Sequence, residues 1–292
     1  MTVEAADKSK ILVDKALASI GDIATLPEVT IKIIEIVEDP KSTARDLHEV
    51  IKRDPALSVK VLKVVNSAFY GLPGQVASVD RAIILLGLSA VKNIAIAASI
   101  ARLFKGKRIS EHFSAADLWR HSLAVAVGAR SLSKCSSHPV MPDELFVAGL
   151  IHDIGMLVER QSFPDQFSEV ISRCVTEHGD FLETERDVIG ADHQAFGVGL
   201  TTKWKFPRHL RAAVGFHHCP ELVSTELRNI ASLIQAGDIL ACQEKVGFYL
   251  TADDKQMSDE TLDVLGLTRE QFETVRAELP EQLAEAEATL TS

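Results

Sequence analysis

The sequence predicts an all-α protein on three observations. Apolar residues recur at helical spacing from end to end, cap residues and prolines punctuate them, and no run alternates apolar and polar residues as a strand would. Composition agrees: of 292 residues 46% are hydrophobic but only 5% aromatic. A core rich in Ala, Leu, Ile and Val suits close helix packing better than a β-sandwich.

Val29, Ile33, Ile36 and Val37 share one face of a first helix that Pro27 starts and Asp39-Pro40 ends. Thr43 caps the next, with Leu47, Val50 and Ile51 as its stripe. Asp54-Pro55 reads as an N-cap followed by proline at the first helical position, and Leu57, Val61, Val64, Val65 and Ala68 follow before Gly71 ends the helix. Gly71-Leu72-Pro73-Gly74 is a loop. Ser78 caps a short helix to Leu86, and Ser89 a longer one to Phe104. Further helices are expected over 113–133 and from Pro142 to His152-Asp153, then over 165–178, 191–204, 207–217 and 222–245. Ser258 and Thr268 cap two C-terminal ones, the last strongly acidic. Lys105-Gly106-Lys107-Arg108 is the best boundary, giving an N-terminal helical part (1–108), a second helical domain (109–250) and a C-terminal extension (251–292).

The net charge of -10, from 41 acidic and 31 basic residues, argues against nucleic acid and anionic membrane surfaces as partners. The most apolar stretch, Ala82 to Ala101, carries Lys92 and Asn93 near its centre and reads as core, not as a membrane span. Met1 to Lys10 is polar and lacks a secretory pattern. Cys135, Cys174, Cys219 and Cys242 form no CxxC pair and read as free thiols of a reducing compartment, so a cytoplasmic location is expected.

The second half holds two unusual doublets, His152-Asp153 and His217-His218, together with His121, His193 and Asp238, each on a separate expected helix. Imidazole nitrogen and carboxylate oxygen are good ligands for divalent transition metals. Ligands tens of residues apart fit a bundle core to which each helix contributes one or two side chains. Neighbours on a helix point about 100° apart, so Asp153 can bridge two ions while His152 binds one. Hydrogen-bonded core histidines remain an alternative at this point. His48, His112, His138, His178 and His209 read as surface or helix-end residues.

From Phe113 onward the pattern resembles the HD superfamily of metal-dependent phosphohydrolases, whose early His, His-Asp doublet and late Asp match His121, His152, Asp153 and Asp238. Ile151-His152-Asp153-Ile154-Gly155, His193 with Gly197, and His217-His218 look like the HD-GYP branch, which hydrolyses cyclic di-GMP. The N-terminal half is similar to a narrower family, HDOD. The carrying residues are Leu26-Pro27, Arg53-Asp54-Pro55-Ala56-Leu57, Asn66-Ser67-Ala68-Phe69-Tyr70-Gly71 and the run from Ala82 to Gly87. Asp192-His193, Trp204, Pro207 and His217-His218 fit it too.

The resemblance implies an N-terminal helical bundle packed on an HD-like helical domain. It implies one ion held by His121, His152, Asp153 and Asp238, and a second held by Asp153, His193, His217 and His218. Iron is the first expectation for a carboxylate-bridged, histidine-rich pair, with Mn, Ni or Zn as alternatives. Two departures from the hydrolase branch stand out. Met156 takes the place of a Lys, and Cys219-Pro220 follows the His-His pair where a GYP segment is expected. The expected function is therefore a regulatory, signal-transducing module that binds a ligand or protein partner and does not hydrolyse cyclic di-GMP. A metal-dependent phosphohydrolase acting on another phosphoester, with Asp153 as its metal bridge, and a metal-free interaction scaffold are the alternatives. Asn66, Ser67, Tyr70 and Arg81 read as residues that cap helices and lock the halves together rather than as a ligand surface.

Overall fold

The computed structural model describes all residues except 1–2, 22–25, 40, 67–69, 107, 253–254 and 291–292. The expected helix end at Pro40, the Ser67-Ala68-Phe69 part of the motif and Lys107 of the boundary lie outside the described residues. Those described form an all-helical fold, with one isolated bridge between Ser110 and Phe113 as the only β pairing among them.

The N-terminal half contains α2 (Glu28–Glu38), α3 (Ala44–Lys52), α4 (Pro55–Val65), α5 (Val79–Leu86) and α6 (Leu88–Ile100). Local chemistry sets their starts as expected. Thr43 and Asp46 form a reciprocal capping box, Asp54 accepts from the Leu57 amide with Pro55 behind it, and Ser78 accepts from the Arg81 amide. One start differs: α6 begins at Leu88 after Gly87, not at a Ser89 cap, because Gly87 at φ 88° turns the chain sharply enough for α5 and α6 to abut. α6 is buried along nearly its whole length. Lys92 survives there because its ammonium donates to the Ile36 carbonyl at the end of α2, 2.9 Å away. Asn66 bonds the Leu62 and Val76 carbonyls and accepts from the Val76 amide, pinning the following loop onto the end of α4. The Arg130 guanidinium lies over the Tyr70 ring, 5.7 Å from its centroid, and joins the two halves there.

The second half contains α7 (Ala115–Cys135), α8 (Pro142–Ile151), α9 (Gly155–Ser162), α10 (Pro164–Glu177), α11 (Phe181–Val188), α12 (His193–Lys203), α13 (Arg208–Phe216) and α14 (Thr225–Gln243). α7 is its axis, flanked by α8 and α14. A side chain at Gly237 would sit 2.7 Å from the Val125 carbonyl oxygen, so this glycine lets α14 lie directly on α7. α15 (Asp259–Leu265) and α16 (Arg269–Leu290) close the chain. Leu279, Leu283 and Ala286 are buried, while Arg120–Glu287 and Ser131–Gln282 bonds tie α16 to α7. The acidic C-terminal helix therefore spends one face on packing.

Three helices are additional to those expected from sequence: α1 (Val3–Ser19), α9 and α11. α1 folds back onto α9 and α12, and Lys203 donates to the Leu17 carbonyl at its C-terminal end. One continuous apolar core runs from Val13 to Ala286 through both halves, with Trp204 anchored in it at 5% exposure. No helix among the described residues is long and apolar enough to cross a membrane.

Candidate metal centre

Seven side chains that the sequence singled out meet in one small volume. His121 comes from the middle of α7 and Asp238 from the middle of α14. His152 and Asp153 occupy the tight turn between α8 and α9. His193 is the first residue of α12, which Asp192 caps by accepting from the Ala195 amide at 2.8 Å. His217 and His218 follow the end of α13. The turn at His152-Asp153 works because Gly155 lacks a side chain: a Cβ there would lie 1.9 Å from the His193 carbonyl oxygen. That close approach brings the two ends of the ligand set together.

Asp153 lies at the centre. Its Oδ2 is 3.2 Å from His152 Nε2 and 3.6 Å from His121 Nε2, while its Oδ1 is 3.3 Å from both His193 Nε2 and His217 Nε2. Asp238 Oδ1 lies 3.2 Å from His121 Nε2, and its Oδ2 3.7 Å from His218 Nδ1. These short separations are not ordinary ion-pair hydrogen bonds, since both Asp153 oxygens and Asp238 Oδ2 lack a hydrogen-bonding partner among the described residues.

Tautomers decide what the cluster can hold. His152 Nδ1 faces the Gly149 carbonyl at 2.8 Å, His217 Nδ1 faces the Ala213 and Val214 carbonyls, and His193 Nδ1 faces the Glu185 carboxylate at 2.8 Å. Facing acceptors, each Nδ1 carries the proton and leaves its Nε2 lone pair aimed inward. Yet two inward nitrogens confront one another: His193 and His217 Nε2 are 3.4 Å apart. Lone pair against lone pair is repulsive unless a cation lies between. Donors about 2.1 Å from one ion and roughly 90–110° apart stand about 3.0–3.4 Å from each other, the spacing found here. The residues present therefore fit a metal ion, and three overlapping groups could hold one: Asp153 with His193, His217 and His218; His121 with His152 and Asp153; and His121 with Asp238 and Cys242.

Protonation follows the same logic. Burial holds His217 and His218 below the usual imidazole range, with His217 adding to the effect on His218, so both favour the neutral ligand form. Burial also opposes charge on His152, but the Asp153 carboxylate outweighs it and raises that group. Asp153 is held well below the usual carboxylate range: burial disfavours its charge, and the interactions with His152, then His217 and His193, prevail. Asp238 is depressed against burial by His121 and His218.

Residues that sequence reasoning did not single out support the cluster. Glu185, fully buried on α11, accepts from both the amide and the ring of His193. Behind it Glu159, fully buried on α9, faces Glu185. Burial, then the neighbouring Glu185, pushes Glu159 well above the ordinary carboxyl range. Burial, then the neighbouring Asp192, raises Glu185 as well, while the two His193 donors act against that rise. Cys242 and Thr251 both lie against Asp238 Oδ1, at 3.3 and 3.4 Å.

The site is closed. His121, His152, Asp153, His193 and His217 have no exposed surface, Asp238 has 1%, and the His218 side chain has 4%. Met156, where the hydrolase branch has Lys, is wholly buried in the core. His217-His218 runs through Cys219 into a single 3-10 turn, Pro220–Leu222. Lys255, a cation acting on His218, is itself paired with Asp180 at 3.4 Å.

The family model of the HDOD domain matches residues 23–220, most of the chain. The chain belongs to the HDOD family. Asp238 and α14 lie beyond the matched range, so their place beside the cluster's histidines is known from the fold. Among solved structures, an HDOD domain protein with unknown function from Geobacter sulfurreducens is 22% identical, with 98% of each chain covered and a TM-score of 0.80. A protein of Shewanella amazonensis SB2B described as a "Putative phosphohydrolase" is 24% identical, covering 96% of this chain and 98% of its own, at a TM-score of 0.73. A "Putative signal transduction protein" of Marinobacter aquaeolei VT8 is 24% identical, covering all of this chain and 67% of its own, at 0.76. At these identities the likeness shows the shared fold. An uncharacterized curated protein of Treponema pallidum (strain Nichols) is 26% identical over 212 residues, 70% of this chain. The HDOD chain spans about 40% of that relative's length.

Proposed function

We propose that this HDOD protein is a signal-transduction module whose His/Asp cluster holds two divalent metal ions as a structural or sensing element. In this reading His121, His152, Asp153 and Asp238 hold one ion, and Asp153, His193, His217 and His218 the other. Iron is the first choice, with Mn, Ni or Zn able to substitute. A bound pair supplies Lewis acidity and positive charge at the centre of the helical core. The chain's own residues hold His217 and His218 neutral, turn the rings of His152, His193 and His217 through acceptors at Nδ1, and exclude bulk water.

The observation that carries the proposal is closure. Six of the seven groups are 0–1% exposed, so a phosphoester the size of a cyclic dinucleotide has no route to Asp153 in this conformation. The buried Met156 and the short turn after His218 point the same way. The function proposed is binding of a ligand or protein partner in the cytoplasm, with neither nucleic acid nor membrane as the target. The complete ligand set supports a second reading, a metal-dependent phosphohydrolase that opens to admit a small phosphoester.

Quantitative elemental analysis of anaerobically purified protein is the test, paired with a panel of phosphoesters. Near-stoichiometric metal lost in Asp153→Ala, without turnover, is the expected result. Metal-dependent turnover abolished by Asp153→Ala would move the assignment to the hydrolase. Failure of the wild type to take up metal under loading would leave an interaction scaffold, a reading the facing Nε2 lone pairs of His193 and His217 already disfavour.

A further inference from the structure

A second cavity, of about 430 Å³, lies where α4, α6, α7 and α8 meet, and it has no part in the His/Asp cluster. We propose that it binds a purine nucleoside diphosphate, with the phosphates on a cationic rim and the base against Trp119.

Four cations line it: Lys60 and Lys63 from α4, Arg102 from the turn after α6, and Lys105 just beyond. No acidic residue is among the lining residues described, in a chain whose net charge is -10. The cations are exposed, and none of the four makes an ion pair among the described residues. Lys60 and Lys63 stand three residues apart and so share one face of α4. Clustered cations without counter-charges repel one another, and a polyanion relieves that repulsion. Two phosphates are enough to engage four cations.

The interior has a different character. Ala97, Ala98, Ala101 and Ala116 give the cavity its depth by being small. Phe104 and the half-buried Trp119 form one wall, with ring centroids 5.2 Å apart. A flat, partly exposed indole backed by a second ring suits a planar base, through stacking and burial of its faces. The volume falls within the roughly 300–1,000 Å³ of small-molecule sites, which favours a nucleotide over a folded partner or a polymer.

The cavity is also well placed to act on the rest of the molecule. Trp119 lines it, and His121 two residues on faces the metal cluster, about 200° around α7. Leu150 lines it from α8, and His152 follows just past that helix's end. α7 and α8 thus stand between the cavity and the cluster.

The test is calorimetric titration of the full, metal-loaded chain with ADP and GDP, and with adenosine and pyrophosphate separately. One of the diphosphates should bind, more tightly than either fragment. Lys60→Glu/Lys63→Glu, at two exposed positions, should weaken binding at least about tenfold, as should Arg102→Ala, which serves if the double variant does not fold. Circular dichroism checks folding. Binding that survives these substitutions puts the nucleotide elsewhere and overturns the proposal. So does the absence of heat with both diphosphates. Pyrophosphate binding as tightly as ADP overturns the base site and leaves an anion-binding rim.

Discussion

Replacing Glu159 by Gln should make the protein more stable at neutral pH and change how its stability depends on pH. Glu159 has no exposed surface, and burial next to Glu185 raises its carboxyl well above its ordinary 4.5. The folded state therefore keeps a proton that the unfolded chain releases once the pH passes about 4.5. A state that binds more protons loses ground as protons become scarce. This one group thus lowers stability as pH rises from about 4.5 toward its folded value, by about 1.4 kcal/mol per pH unit, and the loss levels off above that value. Gln has nearly the same shape, carries no charge beside Glu185 and does not titrate. Urea unfolding of metal-loaded wild type and variant between about pH 5 and about pH 7 isolates the effect, because contributions of the metal ligands common to both cancel in the difference. The variant should gain on the wild type as pH rises across that range, by at most about 1.4 kcal/mol per pH unit. A difference that does not change with pH would mean that Glu159 is ionised in the fold, and the reasoning from its burial would fail.

Other predictions concern the cluster's support. Glu185→Gln weakens the acceptor that fixes the His193 ring and should lower metal affinity about 10–100-fold, measured by competition with a chromophoric chelator, with the fold intact by circular dichroism. Gly155→Ala puts a methyl 1.9 Å from the His193 carbonyl oxygen and should cost about 1–3 kcal/mol or more in urea unfolding, with reduced metal content. Lys92→Met removes one of two donors to the Ile36 carbonyl at the end of α2, the Ser42 hydroxyl being the other, and should cost about 0.5–1.5 kcal/mol in thermal or urea unfolding, while metal content stays at the wild-type level.

The fold class was legible because α2 to α8 announce themselves by stripes and caps: Thr43, Asp54-Pro55, Ser78 and Pro142 all stand at helix starts. The seven ligand candidates stood out in the sequence as two doublets, His152-Asp153 and His217-His218, which fall at helix ends, with His121, His193 and Asp238 on separate helices. Glu159 and Glu185 did not, and the reason is local. They sit on α9 and α11, eight residues each, which have no long apolar stripe. α9 also lacks a side-chain cap. A Glu in a short charged segment reads as solvent-facing, and only tertiary packing turns it inward. α1 was missed for a related reason: its polar start hid Val13 and Leu17, whose partners on α9 and α12 lie more than a hundred residues away. The Ser89 cap failed because Gly87 at positive φ ends one helix and begins the next with no side chain taking part.

The cluster gathers ligand candidates from α7, the α8–α9 turn, α12, the end of α13 and α14, the same elements that make up the second half's core. Asp153 and Asp238 are both buried carboxylates, so without a cation they depend on imidazolium protons for balance, and His217 and His218 are held neutral by that same burial. Metal binding in such a place is inseparable from the packing of five helical segments, because its free energy enters the folding free energy directly. With an ion bound as proposed, its removal would leave the facing His193 and His217 lone pairs and two carboxylates balanced only by imidazolium protons. On the signalling role proposed above, a closed cluster of this kind would suit switching better than turnover: occupancy of the ion site would set how tightly α14 and α12 are drawn onto α7 and α8. Hydrogen exchange with and without metal reads this out. Slower exchange with metal, concentrated in α12 and α14 rather than in α2 to α5, is the expected pattern, and uniform protection across both halves would count against it.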